Sequence, residues 1–310
     1  MDSFSSALRY WDKRLSRLRY SLVKRLTRKA PPLFLRGQDI ISLGPLANGV
    51  YDPVMQQLMH HFAQQGFQDF LIDIGANIGL VSCESGSCFK AVHLFEPNPY
   101  VASVLKVNCF ISLKTHNYQI HEHGLGARDE QLTLHVPYDN WGGAFVAPPE
   151  NAYDLAQLSQ KDGFDRFDLD NYGIVDVQIR NADDTFEQLF QQLASAQHRS
   201  GVIKIDVEGL DEFLIDRLLA KLPDDFSVVV FFENRDTTKT LSAFQQQHPG
   251  VGPVYSLTTD ATRMAGAPRW LNSMLNWLRS QETLRLTPAP ERMGIGDFVF
   301  HIPAKNSQAH

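Results

Sequence analysis

Four acidic side chains stand at or near the ends of apolar runs of strand length. They are Asp73 in Phe70-Leu71-Ile72-Asp73-Ile74, Glu96 after Val92 to Phe95, Asp206 after Val202 to Ile205, and Glu233 after Val228 to Phe232. Open α/β sheets bind ligands outside the carboxyl ends of their strands, so four such acids converge on one rim. Asp73 leads into Gly75-Ala76-Asn77-Ile78-Gly79, a D-x-G-x-x-x-G turn. Glycine suits a turn that passes close to a ligand or enters φ > 0. An acid in place of a phosphate-binding G-x-G-x-x-G favours a hydroxyl-bearing or cationic ligand over a pyrophosphate. Glu96 closes the next strand, the position from which a Rossmann-like sheet holds ribose hydroxyls. Asp206-Val207-Glu208 brings two carboxylates out of a buried strand together, and either can act as a general base. Each acid also has a plainer reading as the cap of the following helix.

The elements that must position these acids follow from the pattern of apolar residues. Strands are expected over 70–74, 91–95, 118–123, 131–137, 175–180, 201–206, 227–234, 254–257 and 297–302, with helices over 51–66, 99–112, 184–197 and 210–221. The alternation of strand and helix predicts one α/β domain with a parallel sheet. The helix after Gly79 is short, ending near Lys90. Residues 147–172 read as a long loop and a candidate substrate lid. The Met and Trp residues around Trp270, Leu271, Met274 and Trp277 suit a core helix better than a ligand box. His93, His121 and His123 share no motif with the acids and read as structural.

Charge is unevenly spread. Residues 1–30 hold nine Lys and Arg against Asp2 and Asp12, a net of +7, and the remaining 20 basic and 33 acidic residues give −13. Between Ser3 and Lys29, Phe4, Leu8, Trp11, Leu15, Leu18, Leu22 and Leu26 recur at spacings of four and three, one stripe of a helix that Pro31-Pro32 stops. Such a basic helix suits a peripheral membrane contact, a homo-oligomer seam through residues 3–29, or packing on its own domain; a mitochondrial presequence ranks behind these. The acidic body argues against nucleic acid. Cys83, Cys88 and Cys109 have no metal-ligand spacing and cannot all pair, which fits a reducing compartment. With no apolar run of spanning length and no secretory signal, the expected location is cytoplasmic, at or near the inner face of the membrane.

The strings 72–79, Phe95-Glu96-Pro97-Asn98-Pro99, Gly142-Gly143-Ala144 and Ile203-Lys204-Ile205-Asp206-Val207-Glu208-Gly209 together resemble the FkbM-type methyltransferases, in order and in spacing, over roughly residues 50–302. The resemblance implies a Rossmann-like class I methyltransferase sheet of seven strands, the last antiparallel, spanning 67–303. Residues 1–30 then form a basic helical extension, 31–66 a linker and entry helix, and 304–310 a tail. It also implies S-adenosylmethionine as cofactor and methyl transfer to an oxygen of a sugar in a glycan or of a natural-product scaffold. Asp73, Gly75, Asn77, Gly79, Glu96 and Asn98 become the candidate cofactor residues, with the glycine turn under the methionine part and Glu96 on the ribose. The short helix through Cys83 to Cys88 departs from the family pattern.

Two mechanisms stay open. Asp206, Glu233 and Asn234 resemble the ligands of catechol-type metal-dependent O-methyltransferases and form a hard set suited to Mg²⁺. Otherwise Asp206 or Glu208 is the base with no metal. A nicotinamide-dependent oxidoreductase is disfavoured by the missing G-x-G-x-x-G. A non-catalytic scaffold acting through its basic helix is the remaining alternative.

Overall fold

The computed structural model describes residues 14–25, 27–37, 39–115, 117–147, 155, 166–207, 209–261 and 282–305. Three expectations fall wholly or largely outside these residues: the role of Glu208, the core helix around Trp270, and most of the loop 147–172.

Eight strands form the main sheet. Its parallel half is built from β1 (Phe70–Ile74), β2 (Ala91–Phe95) and β3 (Tyr118–His121), together with β8 (Ser200–Ile205) and β9 (Ser227–Asn234). The other half contains β10 (Val254–Ala261), β11 (Glu282–Pro288) and β12 (Gly296–Ile302). The spatial order is β11-β10-β12-β9-β8-β1-β2-β3. β1 pairs in parallel with both β2 and β8, while β12 runs antiparallel to β9. This is the expected α/β Rossmann-like class I methyltransferase sheet with its final strand reversed. It carries one strand more than expected: β11 extends the edge beyond β10, antiparallel to it.

The order of strands reverses between β1 and β8, neighbours in space but separated in the chain by β2 to β7. That switch point is where an open α/β sheet leaves a crevice at its carboxyl edge. β1 is buried along its whole length, and its alternation sorts the core. Phe70, Ile72 and Ile74 face the layer of α6 (Ala182–Ser195) and α7 (Asp211–Lys221), whereas Leu71 faces α3 (Pro53–Gln64) and α5 (Pro99–Ser112). The polar member of β1, Asp73, lies on Leu71's face because strand side chains alternate.

Helix starts are set by local chemistry. Asp52 accepts from the N–H groups of Val54 and Met55 and is followed by Pro53, and Asn98 accepts from Tyr100 and is followed by Pro99. Both combine a side-chain cap with a proline where no intrahelical donor is needed. α4 (Leu80–Ser85) is as short as expected.

A second sheet stands over the carboxyl edge of the first, formed by β4 (Gly124–Gly126), β5 (Glu130–Pro137), β6 (Phe145–Val146) and β7 (Tyr172–Asn181) in the order β4-β7-β5-β6. Before β1, the chain forms α1 (residues 14–25) and α2 (Ile40–Asn48), the latter capped by Asp39 and not anticipated in the linker. Among the described residues no helix is long and apolar enough to cross a membrane.

Candidate functional site

A cavity of about 450 Å³ opens at the switch point, between the carboxyl edge of the main sheet and the second sheet. Its floor is the glycine turn after β1. Gly75 has φ +82, and a Cβ there would lie 2.0 Å from the carbonyl oxygen of Asp206. The turn is tied to the neighbouring strand by the N–H groups of Gly75 and Ala76, both donating to Phe95 O at 3.1 and 3.0 Å. Asn77, with φ +51, accepts the N–H of Ile78 on its own side chain at 2.8 Å.

Glu96 lies at the centre of the floor, almost wholly buried. Its Oε2 accepts from Asn77 N at 2.9 Å and its Oε1 from Asn98 N at 2.8 Å. Burial outweighs these two donors and pushes its pKa up to about 7. Two fixed N–H donors orient the carboxylate, and each oxygen keeps a lone pair for a hydroxyl donor.

Beneath the turn runs an ion-paired set drawn from the strings 72–79 and 203–209, a pairing that neither string by itself announces. Lys204, on β8, is buried; its Nζ lies 3.1 Å from Asp73 Oδ1 and 3.1 Å from Asp206 Oδ2, and 3.4 Å from Gly75 O. Burial alone would lower its pKa, but the charges of Asp206 and Asp73 win and hold it well above the usual lysine range. Asp73 is fully buried, and its second oxygen accepts from Ser82 Oγ.

The roof is the turn Trp141–Gly143, the site of the Gly142-Gly143-Ala144 string. A Cβ on Gly142 would come within 2.6 Å of Asn77 Nδ2, so floor and roof meet there. From the N-terminal segment, Arg36 places its guanidinium 4.5 Å from the centre of the Trp141 ring, pairs with Asp39 at 3.2 Å and donates to Tyr138 O. One end of the cavity is apolar, with Leu125, Leu134, Phe145, Val177 and Ile179. The other is polar and gathers Tyr51, Asp52, Asp206, Glu233, Arg235 and Asp297. There burial, reinforced by the charges of Asp206 and Asp52, raises Asp297 to about 6, and burial with Asp206 raises Tyr51 to about 12.

Gly75, Asn77, Glu96, Asp206 and Glu233 thus meet in one cavity. Other candidates are placed differently. Asp73 lines the same cavity, but its carboxylate is buried and engaged by Lys204 and Ser82, so it supports the turn from below. Gly79 is a packing position, where a Cβ would strike Leu105 at 2.6 Å. Asn98 spends its side-chain oxygen capping α5 and does not line the cavity.

The Mg²⁺ set does not assemble. Asn234 sits on the opposite face of β9 from Glu233 and donates to Asp236 O at 2.9 Å and to Gly294 O, outside the cavity. Glu233 is held by Arg235 at 3.2 and 3.1 Å and Asp206 by Lys204, so the two carboxylates already face cations. Among the described residues no group of three His, Cys, Asp or Glu is arranged to hold a metal. His93 and His121 pack against each other, ring nitrogens 3.3 Å apart, both lowered to about 4 by burial, as structural residues would be.

Lys204, Tyr51, Arg235, Asp297 and the Arg36–Asp39 pair were not singled out by the sequence. Only Lys204 left a signal there, since a lysine inside a buried strand must find a counter-charge.

No family model and no curated protein matches this sequence. Among solved structures, the chain is similar to an O-methyltransferase from Bacillus cereus in complex with SAH, at 9% identity over 87% of this chain and 84% of that one, TM-score 0.41. It is also similar to a putative O-methyltransferase from Klebsiella pneumoniae, at 9% identity over 91% and 89%, TM-score 0.36. A third is a precorrin-6y C5,15-methyltransferase from Geobacter metallireducens, at 12% identity over 80% and 86%, TM-score 0.35.

Proposed function

We propose that the protein is an S-adenosylmethionine-dependent O-methyltransferase acting on a hydroxyl of a sugar, in a glycan or on a natural-product scaffold. One observation carries the reading. Glu96 is a buried carboxylate aimed by two backbone N–H groups at the floor of the switch-point cavity, beside a positive-φ glycine whose missing Cβ leaves the backbone bare. That is a holder for a vicinal diol next to a close-approach turn, the chemistry a nucleoside ribose requires.

Glu96 would take the ribose, the 75–77 turn would lie under the methionine portion, and the apolar end would take the base. When bound, S-adenosylmethionine supplies a sulfonium-activated methyl group. The chain's own residues then align an acceptor oxygen and remove its proton. Alignment is worth ~7–11 kcal/mol in well-oriented reactions.

Asp297 is the group we assign to the proton, in place of Asp206, which is held in an ion pair by Lys204. It lies at the polar end, in register with Glu233 across β12 and β9. Among the described residues its carboxylate accepts no hydrogen bond, and its raised pKa makes it a better base than an exposed aspartate. The carboxylates and the Arg235 guanidinium around it offer acceptors and a donor to a polyhydroxylated acceptor, which supports a sugar.

The test is calorimetric titration with S-adenosylhomocysteine and, in parallel, NADH, on the native protein and Glu96→Ala. Binding of S-adenosylhomocysteine alone, weakened tenfold or more by the substitution, is the expected result. A folded sample that binds NADH, or neither nucleoside, would remove the reading.

A further inference from the structure

α1 carries an apolar stripe that no described residue covers. Leu15, Leu18 and Leu22, spaced three and four apart, are 56%, 67% and 56% exposed, and every other residue from 14 to 25 is exposed except the half-buried Ser16. Arg25 and Arg19 flank the stripe on its two sides by helical spacing. Residues 14–29 hold Arg14, Arg17, Arg19, Lys24, Arg25, Arg28 and Lys29 and no acid.

The helix ends in a hydrogen-bonded turn, Val23 O accepting from Thr27 N at 2.8 Å and Thr27 O from Ala30 N at 3.0 Å, and just beyond it the chain meets the body, where a Cβ on Gly49 at the end of α2 would lie 2.5 Å from Lys29 O. The body therefore fixes where the helix begins to leave it while leaving the stripe open.

We propose that this helix docks the protein on an anionic phospholipid surface, the leucine stripe entering the acyl boundary and the arginines and lysines meeting the headgroups. The pattern of charge selects this occupant. Two copies of the helix side by side would oppose seven cations to seven with no acid to pair them, so a homotypic seam is disfavoured. Nucleic acid would use the cations and leave the leucines in water, while the body, with its net of −13 beyond residue 30, would repel it. An anionic leaflet uses both faces at once. The proposal does not depend on the reaction catalysed.

The experiment is co-sedimentation of the full chain with vesicles of phosphatidylcholine, with and without phosphatidylserine, at several salt concentrations. Binding is expected only to the serine-containing vesicles and should weaken as salt rises. Reversing three cations, Arg17→Glu/Arg19→Glu/Lys24→Glu, should cost at least about a hundredfold in partitioning, since three lost attractions are joined by three repulsions. A second variant, Leu15→Ser/Leu18→Ser/Leu22→Ser, should also lose binding, and both should keep the native thermal midpoint because the sites are exposed. Equal binding to neutral vesicles, or none to anionic ones, overturns the proposal. So does a native dimer that the serine variant converts to monomer, or tight salt-sensitive binding to duplex DNA in place of vesicles.

Discussion

Lys204 and Asp297 show how one local field sets opposite duties. The charges of Asp206 and Asp73 lock Lys204 into its protonated form, whereas burial, with Asp206 adding to it, makes Asp297 reluctant to ionise. A base acts only when deprotonated, so with Asp297 near 6 the turnover rate should fall about tenfold per pH unit below that value and level off above it. Asp297→Asn should cost roughly 10²–10⁴ in kcat and leave S-adenosylhomocysteine affinity nearly unchanged; an unaltered rate would remove Asp297 from the chemistry. The same raised pKa has a stability side. The group contributes fully below its unfolded value near 3.8, and the contribution is lost as pH rises through about 6. Glu96 was legible in the sequence because it ends an apolar run before two prolines. Asp297 was not, because it opens a strand instead of closing one and its raised pKa comes from burial, reinforced by charges distant in the chain.

At the level of the element, the glycine turn does two jobs that two substitutions separate. Gly75→Ala demands φ +82 of an alanine and drives its Cβ to 2.0 Å from Asp206 O, so floor and β8 must part. Gly66→Ala demands a similar φ, +100, with nothing within 4 Å. Each should lose about 1–2 kcal/mol from the backbone conformation. Only the first should also abolish S-adenosylhomocysteine binding, compared by chemical denaturation and calorimetry. The positions of strands were readable because each is written in a run of adjacent residues; the caps at Asn98-Pro99 and Asp52-Pro53 are just as local but were not read, Asn98 being taken for a cofactor residue. The roof was readable only as a glycine pair. Its tie to the N-terminal segment runs through Arg36 and Asp39, about a hundred residues upstream of Trp141, and no local pattern records such a contact.

For the whole molecule, the parallel order around β1 follows from buried runs that alternate with helices. Two features did not follow. β11 is an edge strand in which Thr283, Leu284, Arg285, Leu286 and Thr287 alternate only briefly, and it lies just past a segment read as helix. The second sheet joins two strands read singly, over 131–137 and 175–180, to the short β4 and β6 that were not read as strands, and pairing β4 with β7 spans some fifty residues with no turn to fix that register. One consequence of the buried set beneath the glycine turn concerns how such a sequence can drift. Asp73 and Lys204 sit on neighbouring strands at the same register, both sealed from water. Losing Lys204 strands the sealed Asp73, at a cost of about 3–5 kcal/mol, so Lys204→Met alone should be purged from any library selected for protease resistance, whereas Asp73→Ala leaves Lys204 its pair with Asp206 and should cost less. A neutral pair at the two positions should survive, because the penalty belongs to the mismatch. A library randomised at both sites together should return Asp73 only alongside a cation at position 204, so the first position is inherited under the control of a second one 131 positions further along the chain.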